Sequence, residues 1–177
     1  MKKVIYFGAI LAGVWVGATN VNASELVDVD TSALDGVSVL KVDDDMLKTG
    51  KVEYINNDTI YNITKEGDVI KSLKNIEDFP VLPRAEFNFT LGNGQWWTKS
   101  YQIGAVYTRY MTGRQDGGVA QRFQYIANDT TGQYVYYEEV NAGRGGVYMQ
   151  MPNAGGYTFG MMSRMQNPTA YYAQITF

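Results

Sequence analysis

The sequence predicts a mainly β protein. It reads as a C-terminal antiparallel β-sandwich of about seven strands, preceded by a signal peptide and a small acidic N-terminal unit. Two observations carry this. Short segments alternating between apolar and polar residues recur along residues 84–177, the period of a strand with one buried face. Clusters of Gly, Asn and Asp separate them, as turns require.

Residues 1–23 come first. Lys2 and Lys3 precede an apolar run from Val4 to Ala18, and Val21-Asn22-Ala23 ends in small residues. This is the layout of a secretory signal peptide cleaved after Ala23. The run is short for a membrane span of roughly 20 apolar residues. The expected product is secreted and not an integral membrane protein once the signal is cleaved. The chain has no Cys and no His. Cys–His pairs, Ser-His-Asp triads and Cys- or His-ligated zinc are therefore excluded. Export without disulfides suits a Gram-positive source.

The rest of the chain divides near "DFPVLPRAEF". Residues 24–83 hold six Lys against thirteen Asp and Glu, a balance of −7, whereas residues 84–177 hold seven cations against five acids, a balance of +2. Three aromatic residues fall in the first part and eighteen in the second. Such asymmetry predicts two units, 24–83 and 84–177. The acidic unit is expected to be an accessory domain or a pro-segment removed at "VLPRAEF"; its modest apolar content leaves open that it folds only against the second unit or stays partly disordered. Within it, "LVDVD" and "GVSVLKV" read as strands and "KVEYINNDTIYNIT" as a hairpin. Val69, Leu73 and Ile76 stand near helical spacing. Asp43-Asp44-Asp45 reads as a solvated turn, with a helix cap as the alternative. Asp28 and Asp30 resemble the start of a calcium loop, but Ala33 and Val39 occupy its Gly and Glu positions. No metal or cofactor is expected.

In the second unit "RAEFNFTL" alternates, with Ala85, Phe87, Phe89 and Leu91 on one face. Asn93-Gly94 then predicts a tight hairpin. "YQIGAVYTRYM", "GVAQRFQYIA", "QYVYYEEV", "GGVYMQM", "YTFGMMSR" and "AYYAQITF" complete the strands. Neighbouring side chains in a strand point to opposite faces. The adjacent pairs Trp96 and Trp97, Tyr136 and Tyr137, and Tyr171 and Tyr172 must therefore each send one ring outward. The sequence does not say which Trp is exposed. Exposed Tyr and Trp among Arg residues characterise binding surfaces. These six rings, with Arg109 and Arg144, are the candidate ligand contacts, and Arg114 and Arg122 are further cations suited to phosphate or carboxylate. A carboxylate glycosidase is the remaining enzymatic alternative. However, Glu138 and Glu139 are adjacent and face opposite ways, leaving Glu86, Asp116 and Asp129, so no catalytic role is expected.

The segments "AVYTRYMTG", "FQYIANDTTG", "AGRGGVYMQM" and "TAYYAQITF" resemble, in order and character, the lactococcin 972-like bacteriocins over roughly the last eighty residues. The resemblance implies a secreted, Cys-free β-sandwich toxin that binds the cell-wall precursor lipid II and blocks septum synthesis without enzymatic activity. It assigns no binding residue to a position in this chain. The expected function is non-enzymatic, bacteriocin-like binding of a cell-envelope component, either a lipid-linked wall precursor or a polysaccharide, with a surface protein as the other expected partner. An adhesive or self-associating surface protein is the alternative. With a mature balance of 13 cations to 18 acids and no basic stripe, nucleic acid is not an expected partner.

Overall fold

The structure, a computed structural model, describes residues 24–48, 51–57, 59–72 and 83–177. The signal peptide, most of the expected helix beyond Ser72, and residues 81–82 of the expected processing site lie outside them. Among the described residues thirteen strands run β1 (Leu26–Asp28), β2 (Val37–Asp43), β3 (Val52–Asn56), β4 (Thr59–Ile63), β5 (Val69–Ser72), β6 (Arg84–Leu91), β7 (Trp96–Ile103), β8 (Tyr107–Arg114), β9 (Ala120–Asn128), β10 (Tyr134–Ala142), β11 (Arg144–Gln150), β12 (Gly155–Ser163) and β13 (Thr169–Thr176). Among the described residues one short α-helix, α1 (Asp44–Lys48), follows β2.

The strands form two antiparallel sheets of a sandwich. The first has the order β1-β2-β10-β9-β12-β7 and the second β5-β4-β3-β11-β8-β13-β6. The acidic segment thus contributes strands to both sheets: β2 pairs with β10, and β3 with β11. Leu40, Val42 and Tyr54 from this segment share one buried cluster with Tyr110, Ile126, Tyr157 and Phe159 from the second. The difference in charge and aromatic content between 24–83 and 84–177 therefore does not follow a boundary between cores.

Alternation places the inward faces as expected. Tyr171, Ala173 and Ile175 of β13 are buried, with Tyr172, Gln174 and Thr176 between them on the other face. Four local expectations change. "YQIGAVYTRYM" is two strands, β7 and β8, broken after Ile103, which gives eight strands among the described residues of 84–177. Asn93-Gly94 does make a turn, with the Gln95 N–H donating to the Gly92 carbonyl and Gly94 at φ +74°. It does not make a hairpin, because β6 pairs with β13 and β7 with β12. A turn sequence reverses the chain but does not choose its hydrogen-bonding partner. Here the strands part into different sheets, and Trp97 packs back on Phe87 and Phe89 across the gap. The expected helix near Val69 begins instead as the edge strand β5, paired with β4. The Asp triplet is not a free turn: Asp43 is buried and accepts from the Asp45 N–H at the start of α1.

The core has a polar centre. Arg122 of β9 is fully buried, and its Nε donates to Thr112 Oγ1 at 2.6 Å and Gln124 Oε1 at 3.1 Å. Its Nη1 donates to the Ala142 carbonyl at 3.0 Å, and its Nη2 stands 3.7 Å from the buried Glu138 carboxylate. Gln124 Nε2 in turn donates to the Tyr136 hydroxyl at 2.7 Å. A Cβ at Gly145 would lie 2.8 Å from both Arg122 Nη2 and the Tyr54 hydroxyl, so glycine there leaves room for the network between the sheets.

Candidate functional site

Sandwich geometry divides the adjacent aromatic pairs. Tyr136 and Tyr171 are fully buried, so the surface contact expected of them falls to Tyr137 and Tyr172. Trp97 turns inward and stacks on Phe89, with ring centroids 4.8 Å apart and planes 5° from parallel. Trp96 turns outward and is 50% exposed. Arg122 is enclosed in the core and cannot meet a ligand from solvent.

The outward face of the first sheet gathers five rings from three strands. Trp96 of β7 meets Phe123 and Tyr125 of β9 edge-on, each at 5.9 Å. Phe123 meets Tyr137 of β10 at 5.6 Å, and Tyr125 meets Tyr134 at 5.2 Å. Tyr134 and Tyr137 are 5.8 Å apart. Residues three apart in a regular strand face opposite ways. The pairing of β10 with β9 shifts register between Tyr134 and Tyr136, and this bulge turns Tyr134 onto the same face as Tyr137. Tyr134 is 42% exposed.

β12 runs between β9 and β7 without raising an aromatic wall. It presents Gly160 opposite Tyr125. A Cβ on Gly160 would stand 2.3 Å from two atoms of the Tyr125 ring. The Tyr125 ring therefore lies on bare backbone at Gly160, while Met162 is the β12 residue opposite both Trp96 and Phe123.

Polar groups frame the rings. Thr158 Oγ1 donates to Asp129 Oδ1 at 2.6 Å and lies 2.6 Å from Ser100 Oγ. Lys41 pairs with Asp28 at 2.7 Å, which raises the Lys41 pKa, and Arg164 pairs with Glu139 at 2.6 Å. Both cations beside the patch are thus balanced by carboxylates. Burial, then Tyr134 and Asp129, push the Tyr125 phenol above its ordinary value, so its hydroxyl remains a donor at neutral pH.

Arg109, Arg144 and Tyr172 lie on the opposite outer face. The Tyr172 ring covers Gly113, where a Cβ would be 2.9 Å from it. Arg144 Nη2 donates to the Asn57 carbonyl at 2.8 Å. Burial lowers the Arg109 pKa, and the Arg144 charge adds to this. An open groove of about 470 Å³ runs between Asn57, Arg114, Arg144 and Tyr172. The structure therefore separates the expected contacts: Trp96 and Tyr137 on one side, and Tyr172, Arg109 and Arg144 on the other. The reading of adjacent pairs missed Phe123, Tyr125 and Tyr134. Alternation within "RFQYIA" does place Phe123 and Tyr125 on one face; the bulge that recruits Tyr134 has no comparable local sign.

The carboxylates are dispersed. Glu138 is inside the core, Glu139 is on the outer face of the first sheet, and Glu86 bonds Gln174 on the second. Asp43, Asp44 and Asp45 bring carboxylate oxygens within 4.8 Å of one another, and Lys48 bridges Asp44 and Asp45 at 2.9 and 2.8 Å. Among the described residues no helix is long and apolar enough to cross a membrane.

No family model and no curated protein matches the chain. Solved structures with a similar chain path include the pre-peptidase C-terminal domain of a Bacillus anthracis collagenase, 9% identical at a TM-score of 0.45, covering 52% of this chain and 89% of that one. The Yersinia pseudotuberculosis-derived mitogen is 8% identical at a TM-score of 0.43, covering 54% and 86%. PliG, a periplasmic inhibitor of g-type lysozyme from Aeromonas hydrophila, is 10% identical at 0.41, also covering 54% and 86%. The β-sandwich fold itself follows from the two antiparallel sheets and the core they share.

Proposed function

We propose that this is a secreted, non-enzymatic β-sandwich protein that binds a bacterial cell-envelope polysaccharide through the aromatic face of its first sheet. The observation that carries the reading is the patch of Trp96, Phe123, Tyr125, Tyr134 and Tyr137, rings in mutual contact on a solvent-facing sheet surface. Contiguous exposed apolar surface on a soluble protein marks an interaction site, and sugars present flat C–H faces to such rings. The two ion pairs and the Asp129 carboxylate around the patch leave no excess of positive charge, which favours a neutral partner over the phosphate of a lipid-linked precursor. Covering the exposed half of Trp96 gains at most about 2–3 kcal/mol, taking a full Trp side chain as roughly 200 Å² at about 25 cal/mol per Å². With Tyr134 added, one sugar unit would be held at about millimolar affinity, which suits a polymer with many copies of the unit.

The test is co-sedimentation of the exported protein with insoluble envelope fractions. Wild type should pellet with the polysaccharide, and Trp96→Ala should stay largely in solution. Equal pelleting of the two would remove the aromatic face from the account. The bacteriocin-like activity implied by the family resemblance, which runs through the lipid-linked precursor, is an alternative to this proposal, checked by growth inhibition of related Gram-positive cells.

A second reading, self-association, is favoured by β7. It is an eight-residue edge strand with one neighbour, a template for a further strand. Concentration-dependent sedimentation would support that reading, and a strict monomer would exclude it.

A further inference from the structure

The outward ladder of β9 and β10 continues past the rings. Tyr137 is opposite Tyr125, Glu139 opposite Phe123, and Asn141 opposite Gln121. Beyond Phe123 the face changes from aromatic to amide. An open groove of about 460 Å³ is lined by Val119, Gln121, Asn141, Met165, Gln166 and Asn167. Four of these six side chains are carboxamides, each able to donate and accept hydrogen bonds. The loop carrying Met165 to Asn167 is fixed to β9: the Arg164 N–H donates to the Gln121 carbonyl at 3.0 Å, and the Gln121 N–H points at Met165 Sδ at 3.4 Å. The groove is thus positioned by the same strand that carries the rings.

We infer that the aromatic patch and the amide groove are successive subsites for one linear, neutral polysaccharide lying along β9 and β10. The inference rests on the polysaccharide reading above and extends it to chain length and subsite chemistry. Two residues of strand advance about 7 Å, so the groove begins roughly one sugar unit beyond Phe123. Hydroxyls and acetamido groups need partners that both donate and accept, which the carboxamides supply and the rings do not. Val119, 56% exposed, and Met165 give the groove its apolar contacts. The Arg164–Glu139 pair sits between the subsites with its charge balanced. That arrangement can hydrogen-bond hydroxyls but offers no net charge to a polyanion.

Calorimetric titration with chito- and cello-oligosaccharides of one to six units tests this. Affinity should rise by about tenfold, worth 1.4 kcal/mol, once the oligomer is long enough to reach the groove. Gln121→Ala combined with Asn141→Ala should abolish that gain and leave short-oligomer affinity intact. Both side chains are exposed, so the thermal midpoint should hold. Trp96→Ala should weaken oligomers of every length. Affinity independent of length, or a hexamer bound equally by the amide variant and wild type, overturns the extended site while leaving the ring face standing. Tighter binding of a polyanionic wall polymer overturns the neutral assignment. If no oligomer binds, and Trp96→Ala pellets with envelope fractions as wild type does, both readings fall together.

Discussion

The ring of Tyr125 lies flat across Gly160, so close that a Cβ there would come within 2.3 Å of it. This contact, between neighbouring strands of one sheet, lets an outward Tyr fill the space a side chain would occupy. Gly160→Ala should lift the ring off the sheet, since the clashing atoms belong to the free end of a rotatable side chain. The stability loss should stay within about 1 kcal/mol, while binding to envelope polysaccharide falls severalfold. Chemical denaturation alongside a binding titration checks this. A large stability loss with unchanged affinity would show the contact to be purely structural.

The two tryptophans should separate stability from binding. Trp97 stacks on Phe89 and touches Phe87 at 5.2 Å between the sheets. Trp97→Ala should cost about 3 kcal/mol of unfolding free energy, near the lower end for large aromatic deletions because the ring is only partly enclosed. Trp96→Ala should cost less than about 1 kcal/mol and remove most of the binding. Urea unfolding of both variants gives the comparison.

Arg122 and Glu138 should behave asymmetrically. Burial dominates at Glu138 and raises its pKa above the ordinary 4.5, although Arg122 pulls the other way. A raised carboxyl pKa means that the folded state binds the proton more tightly. The associated stability is fully present below the ordinary value and is lost as pH rises through the folded one. Glu138→Gln has no such titration, so it should gain on wild type as the pH is raised from about 4 towards 7. Arg122→Met leaves a buried carboxylate without its cation and should cost about 3–5 kcal/mol at neutral pH. Urea midpoints measured across that range decide; a Glu138→Gln variant that loses ground with rising pH would show that the Arg122 attraction outweighs burial.

Residues 84–177 expressed alone should not form a stable sandwich. Without 24–83, β10 and β11 become edges and lose β2 and β3 as partners. The buried cluster also loses Leu40, Val42, Met46, Leu47 and Tyr54. The fragment should aggregate, or show dispersed amide resonances only when 24–72 is supplied in trans. A well-dispersed spectrum from the fragment alone would instead fit removal of the acidic segment as a pro-segment.

Much of this protein is legible locally. Alternation in "RAEFNFTL" and "AYYAQITF" identifies strands and their inward residues, and adjacent rings such as Tyr136 and Tyr137 must part to opposite faces. Those properties depend on a period of two, which each segment carries by itself. Partner choice does not. Asn93-Gly94 specifies a reversal, yet β6 and β7 enter different sheets, and Trp97 meets Phe87 and Phe89 between them. The seat of Tyr125 on Gly160 depends on strands that are not consecutive, β9 and β12, while the bulge at Tyr134 and the meeting of Arg122 with Glu138 depend on the register of the β9–β10 pair. Completion of both sheets by the acidic segment depends on strands distant in sequence. The sequence by itself determined that neighbouring rings part to opposite faces; tertiary structure decided which ring of each pair faces out and which outward rings share a surface, because register and strand order are set by closing the whole sandwich.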